Sequence, residues 1–180
     1  VTLISPYHAY ARQDHARGRE AGIAKLMARL HESAGVGHFT FMDLHSTQIV
    51  EFYDVPADNL RASKVLIQGI DRLIIESGHD ISEYVSLSLD AGSVGTAIHY
   101  ANALGIGYVQ GLKRRDYTKH NEVDSGKVGA GVRGKRLIIP DDIADSAGSL
   151  KTIIEEAIEQ GAIEVIPVVT HPLYSGPALG

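Results

Sequence analysis

Short apolar runs alternate along the chain with longer stretches whose apolar residues recur every three or four positions. Leu3-Ile4, Phe39 to Met42, Tyr84 to Leu89, Ile106 to Leu112, Leu137 to Ile139 and Ile163 to Val169 read as strands. Between them the period lengthens. Glu20 to Ser33 reads as a helix with Ile23, Met27, Leu30 and Ala34 on one face, and Gly35 is placed to end it. Ser63 is placed to cap a helix running through Ile75, with Leu66, Ile70, Leu73 and Ile74 as its apolar stripe. Ser93 to Leu104 is helical and stops at Gly105, and Leu150 to Glu159 is helical again. This alternation predicts an α/β protein with parallel sheets, in which ligands gather beyond the carboxyl ends of the strands. The segment from Asp116 to Arg133 breaks the pattern. Its glycines and weak apolar periodicity predict a mobile loop and a short excursion before the next strand.

One strand end carries unusual chemistry. The run Leu137-Ile138-Ile139-Pro140 leads into Asp141 and Asp142, then Ile143-Ala144-Asp145, then Ser146-Ala147-Gly148-Ser149. That order predicts a strand, a loop and a helix start. Free backbone N–H groups at such a start favour an anion. Ser146 and Ser149 add hydroxyl donors, while Ala147 and Gly148 let a phosphate approach the backbone. Asp141 and Asp142 repel phosphate and suit hydroxyls or a metal, so a sugar phosphate satisfies both halves. Acidic residues before a helix also serve as caps and turn formers, and the pattern alone leaves that reading open.

Composition narrows the classes. A length of 180 residues permits one or two domains and a substantial core. The chain has 44% hydrophobic residues and a mean hydropathy near zero, as ordinary globular chains do. No apolar run approaches a membrane span, and no basic leader precedes Val1-Thr2-Leu3-Ile4. With no cysteine, metal chemistry falls to oxygen and imidazole ligands, and a reducing cytoplasm fits. The net charge of −5 argues against nonspecific nucleic-acid binding. A site for polyanions then needs local cations, for which Arg12, Lys113, Arg114, Arg115 and Lys119 are the candidates.

The Asp141 to Ser149 segment resembles the phosphoribosyl-diphosphate (PRPP) loop shared by phosphoribosyltransferases and ribose-phosphate pyrophosphokinases. Other blocks favour the second family. Tyr10-Ala11-Arg12-Gln13-Asp14 looks like its ATP-holding segment, and Asp43-Leu44-His45 like a metal-binding strand end. Phe52 to Leu60 is similar to the segment after that strand end. Ser88 to Val94 resembles a second metal-side turn, and Lys113-Arg114-Arg115 the base of a catalytic loop. Thr170-His171-Pro172 with Ser175-Gly176-Pro177-Ala178 resembles a later turn. The blocks stand in the family's order across nearly all of the chain. Ser146 and Ser149 replace the usual threonines, Leu89 a proline and Ser93 a glycine, and Pro140 stands where an aliphatic residue is usual.

The resemblance implies two similar phosphoribosyltransferase-like domains, at residues 1–62 and 63–180. The first is expected to be incomplete, with no counterpart here for the family's N-terminal units, its adenine-binding hairpin or its last elements. Little activity is then expected of residues 1–180 alone. It implies transfer of pyrophosphate from ATP to the anomeric hydroxyl of ribose 5-phosphate, with Mg²⁺ as cofactor. Lys113 and Arg115 would be catalytic, and Arg12 and Gln13 would bind ATP. Arg115, Asp141, Asp142, Asp145, Ser146, Ala147, Gly148 and Ser149 would bind ribose 5-phosphate, and His45 and Asp90 the metal. A dimer or hexamer in the cytoplasm, with neither nucleic acid nor membrane as partner, is also implied. Two alternatives stand beside this reading: a phosphoribosyltransferase, and a noncatalytic paralogue or fragment that binds nucleotide or a sister subunit. Asp43 is expected to be structural. His8, His15, His31, His38, His79, His99 and His120 are expected at the surface or in packing, and His171 near a turn.

Overall fold

Parallel pairing dominates both sheets of the computed structural model, which describes residues 1–16, 18–112, 127–128 and 131–176. The chain divides into two units, Val1–Ala62 and Ser63–Gly180.

In the first unit β1 (Thr2–Ser5), β2 (His38–Met42) and β3 (Ala57–Leu60) form a three-stranded parallel sheet with β2 central. Phe39 and Phe41 lie two apart on β2 and so point the same way. Both are buried beneath α1 (Ile23–Ser33), together with Ile49 from the short turn of helix after β2 and Tyr53 just past it. The expected helix from Glu20 begins three residues later, at Ile23. Its buried face also differs: Ala24 and Ala28 lie against the sheet, whereas Leu30 is 53% exposed. Two alanines four residues apart let the helix approach the aromatic rings closely, and the larger side chains are displaced to the flanks.

The second unit is a five-stranded sheet in the order β6-β5-β4-β7-β8. Its strands are β4 (Tyr84–Ser88), β5 (Gly107–Leu112), β6 (Lys127–Val128), β7 (Arg136–Ala144) and β8 (Glu164–Pro172). Among the described residues only β6 runs antiparallel to its neighbour, and it lies within the expected excursion. Every residue of β4 is buried, as a central strand covered on both faces requires. Val85 and Leu87 face Leu137, Ile139 and α4 (Gly148–Glu159). Tyr84 faces Ile138, α2 (Ser63–Ser77) and α3 (Val94–Leu104). Each such side chain, fully buried, contributes about 1.5–3 kcal/mol. Ile70 and Ile74 carry the expected stripe of α2, but Leu73 is 42% exposed.

The largest difference from the sequence reading concerns β7. The expected strand ended at Ile139, with the acids in a loop. Instead β7 continues to Ala144, and Asp141 lies in the ladder opposite Val169 of β8. Pairing with β4 stops at Ser86↔Ile138, so Pro140 lies beyond the stretch of β7 paired on both sides. A missing N–H is tolerated there. The loop shrinks to Asp145–Ala147, and Gly148 and Ser149 already belong to α4.

Candidate functional site

In the second unit, the acids and the start of α4 share the carboxyl end of β7. Asp141 Oδ1 accepts the N–H of Asp142 at 3.0 Å, and Asp142 Oδ1 accepts that of Ile143 at 2.8 Å. Burial pushes the Asp141 carboxyl up to about 7, and the charges of Asp142 and Asp90 add to the effect. A carboxyl so poised accepts a hydroxyl's hydrogen bond when ionised and gains strongly from any nearby cation. Past Asp145, Ala147 adopts a left-handed conformation (φ 57°) at the N-cap of α4. It has no polar side chain, so no side-chain cap closes the first turn. The first backbone bond of the helix runs from Lys151 N–H to Ala147 O at 2.8 Å.

The neighbouring strand β4 ends differently. Asp90 Oδ1 accepts from the N–H groups of Gly92 (2.9 Å) and Ser93 (3.1 Å). Ser93 Oγ accepts from Asp90 N–H at 3.1 Å and donates to Asp90 O at 3.2 Å. Asp90 is thus a turn former, with one carboxylate oxygen committed to its own backbone. Close by, β5 passes β4 at Gly111, where a Cβ would lie 2.1 Å from the Ser88 carbonyl oxygen. Only glycine fits this crossing. Lys113 and Arg115, the expected catalytic pair that follows it, lie outside the described residues, as do Arg114 and Lys119.

The first unit holds the remaining candidates. Arg12 and Gln13 line a cavity of about 450 Å³ with His15, Glu20, Ala21 and Ile23. The segment is fixed at both ends. Gln13 N–H donates to Tyr10 O at 2.9 Å, with Tyr10 left-handed (φ 64°), and Gln13 O accepts from Ala24 N–H at 3.2 Å. Burial pushes the Asp14 carboxyl up, but hydrogen bonds from His15 and Ser46 outweigh it and hold the group below its ordinary value. His45 is exposed on the turn after β2. Asp43 builds that turn from a left-handed backbone (φ 41°): its Oδ2 accepts from Ala62 N–H at 3.1 Å, and Arg61 lies 3.6 Å from Oδ1. Asp43 is structural, as expected. His8, expected at the surface or in packing, is buried against Phe41. Desolvation and the nearby His31 lower its pKa to about 4.

Among the described residues, no group of three or more His, Asp or Glu side chains can hold a metal ion unaided. Sequence reasoning assigned no role to Ser175. The Ser175 hydroxyl hydrogen-bonds Asp145 Oδ1 across 30 residues of chain.

Residues 56–176 match the family model described as a phosphoribosyl transferase domain. The chain belongs to this family. It is also similar to a ribose-phosphate pyrophosphokinase of Streptococcus pneumoniae, with 37% identity over 99% of this chain and 54% of the relative. The corresponding protein of Aquifex aeolicus is 37% identical over 99% of this chain and 56% of its own length. A crystal structure of phosphoribosylpyrophosphate synthetase from Mycobacterium smegmatis superposes with a TM-score of 0.85 at 35% identity. That match covers 98% of this chain and 55% of that one. The chain thus spans about half the length of the curated relatives it matches. The expected α/β fold with parallel sheets and the resemblance to ribose-phosphate pyrophosphokinases both stand. No helix among the described residues is long and apolar enough to cross a membrane.

Proposed function

We propose that the protein is a ribose-phosphate pyrophosphokinase. The anomeric oxygen of ribose 5-phosphate attacks the β-phosphorus of ATP. The bond between the β-phosphorus and the oxygen bridging it to the α-phosphorus breaks. AMP leaves, and the hydroxyl proton passes to solvent. The similarity to ribose-phosphate pyrophosphokinases over 99% of this chain supports the reading. One observation supports its sugar-phosphate half: an acid pair lies beside a helix start without a side-chain cap at the end of β7. Asp141 and Asp142 take the ribose hydroxyls, Asp145 borders them, and Ser146 to Ser149 hold the 5-phosphate. Arg12 and Gln13 bind ATP, and Lys113 and Arg115 neutralise charge on the transferred group, with Arg115 also reaching ribose 5-phosphate.

Mg²⁺ fits the donors present. The chain has no thiolate, and among the described residues Asp90 keeps Oδ2 free of hydrogen bonds. Asp90 and His45, each in its own unit, are the residues proposed as ligands, and a bound ion would withdraw charge from the phosphates. Within this proposal, residues 1–62 belong to an N-terminal pyrophosphokinase domain. Residues 63–180 are the C-terminal phosphoribosyltransferase-like domain, and the protein assembles as a dimer or hexamer in the cytoplasm, where both substrates reside.

The test is AMP release from ATP, with and without ribose 5-phosphate, by the protein that carries these 180 residues. Release that depends on ribose 5-phosphate supports the reading. No dependence, together with consumption of PRPP when a nucleobase is added, would assign a phosphoribosyltransferase instead.

A further inference from the structure

We infer that Ser175 is a positioning residue for the Asp145 to Ser149 loop, an inference that rests on the ribose 5-phosphate reading of that loop. Beyond the last ladder pair, Ala144↔Pro172, the chain after β8 turns back onto the end of β7. Three consecutive residues fasten it there. Leu173 and Tyr174 donate their N–H groups to Ala144 O at 2.9 and 3.1 Å, and Ser175 donates its N–H to Asp145 O at 3.1 Å. The Ser175 hydroxyl then donates to Asp145 Oδ1. Tyr174 is left-handed (φ 48°), a conformation that side-chain-bearing residues rarely adopt. Ala147, two residues past Asp145, is left-handed as well (φ 57°). The loop is therefore bounded by two unusual backbone conformations, one of them on the segment that fastens it.

The chemical consequence falls on Asp145. A carboxylate beside a phosphate cradle repels the anion, so where its oxygens lie matters. A hydroxyl donor on one oxygen fixes the side-chain torsion through a charge-assisted bond. The carboxylate is then held at a constant place, and the peptide that follows enters the loop at a constant angle. Ser175 makes no contact with the reacting phosphates in this account. It acts through Asp145.

The variants Ser175→Ala and Ser175→Thr test this in the protein that carries the chain, by two readouts. The first is amide hydrogen exchange over residues 145–149. Ser175→Ala is expected to speed it about tenfold, and Ser175→Thr, which keeps the hydroxyl, to restore it. The second is steady-state kinetics: Ser175→Ala should raise the KM for ribose 5-phosphate about tenfold while the KM for ATP stays within twofold. Unchanged exchange in Ser175→Ala overturns the inference, whatever the substrate. Faster exchange with no selective effect on ribose 5-phosphate also overturns it, since Ser175 would then only stabilise the turn. If the unmodified protein does not use ribose 5-phosphate at all, the functional reading fails and takes this inference with it.

Discussion

Two helices of the second unit begin just past neighbouring strands; neither has a side-chain cap, but the turns that lead into them are built differently. Ahead of α3, Asp90 and Ser93 exchange three hydrogen bonds and Gly92 N–H adds a fourth to Asp90 Oδ1, so this turn satisfies itself. Ahead of α4, Ala147 holds the N-cap in a left-handed conformation and offers no side-chain acceptor. The α3 turn spends its polar groups on stability. The α4 turn makes no side-chain cap and lies close to two carboxylates that an anion alone would find repellent. In the proposed function the sugar phosphate lies at β7, and among the described residues only one carboxylate oxygen of Asp90 is taken up by its own turn.

The contrast can be broken first where the closed side is packed. Gly111→Ala forces β5 away from the Ser88 carbonyl and is expected to cost about 3 kcal/mol, the upper range for overpacking. An unshifted urea midpoint would show that the carboxyl end of β4 is less tightly built than described. Asp90→Ala, which strips two N–H groups of their acceptor, should cost about 1–2 kcal/mol by the same measurement. Ser146→Ala on the open side should change stability by less than about 0.5 kcal/mol, yet weaken inorganic phosphate binding about fivefold. A larger stability loss from Ser146→Ala than from Asp90→Ala would reverse the comparison.

A pH experiment sharpens it further. The Asp141 carboxyl is raised in the folded state to about 7, from about 3.9 in an unfolded chain. The folded protein therefore holds a proton that the unfolded chain has released between those values. The stabilising contribution is full below about 4 and is lost as pH rises through about 7. Denaturation midpoints should fall across that window, and Asp141→Asn should flatten the fall. An unchanged slope in the variant would place the titration elsewhere.

The sequence shows some of this architecture more clearly than the rest. β4 and α3 emerge nearly as expected, because a continuous apolar run and a glycine at the C-cap are local signals, and Gly105 is indeed left-handed. The buried face of α1 was hidden: large apolar residues point to Leu30, but the sheet accepts only the short side chains of Ala24 and Ala28. Two adjacent aspartates argue for a loop by propensity, yet the ladder with β8 carries them inside a strand. The acids and small residues of the candidate site were visible as residue types. Their partners were not. Nothing local links Asp145 to Ser175, and nothing local tells which oxygen of Asp90 its own turn consumes.

The most direct test of the open-against-closed contrast is an NMR titration of the backbone amides with ribose 5-phosphate. The account predicts saturable shifts at Gly148, Ser149 and Leu150, with the amides of Gly92 and Ser93 nearly unmoved. Shifts centred on Gly92 and Ser93, or none at the start of α4, would contradict it.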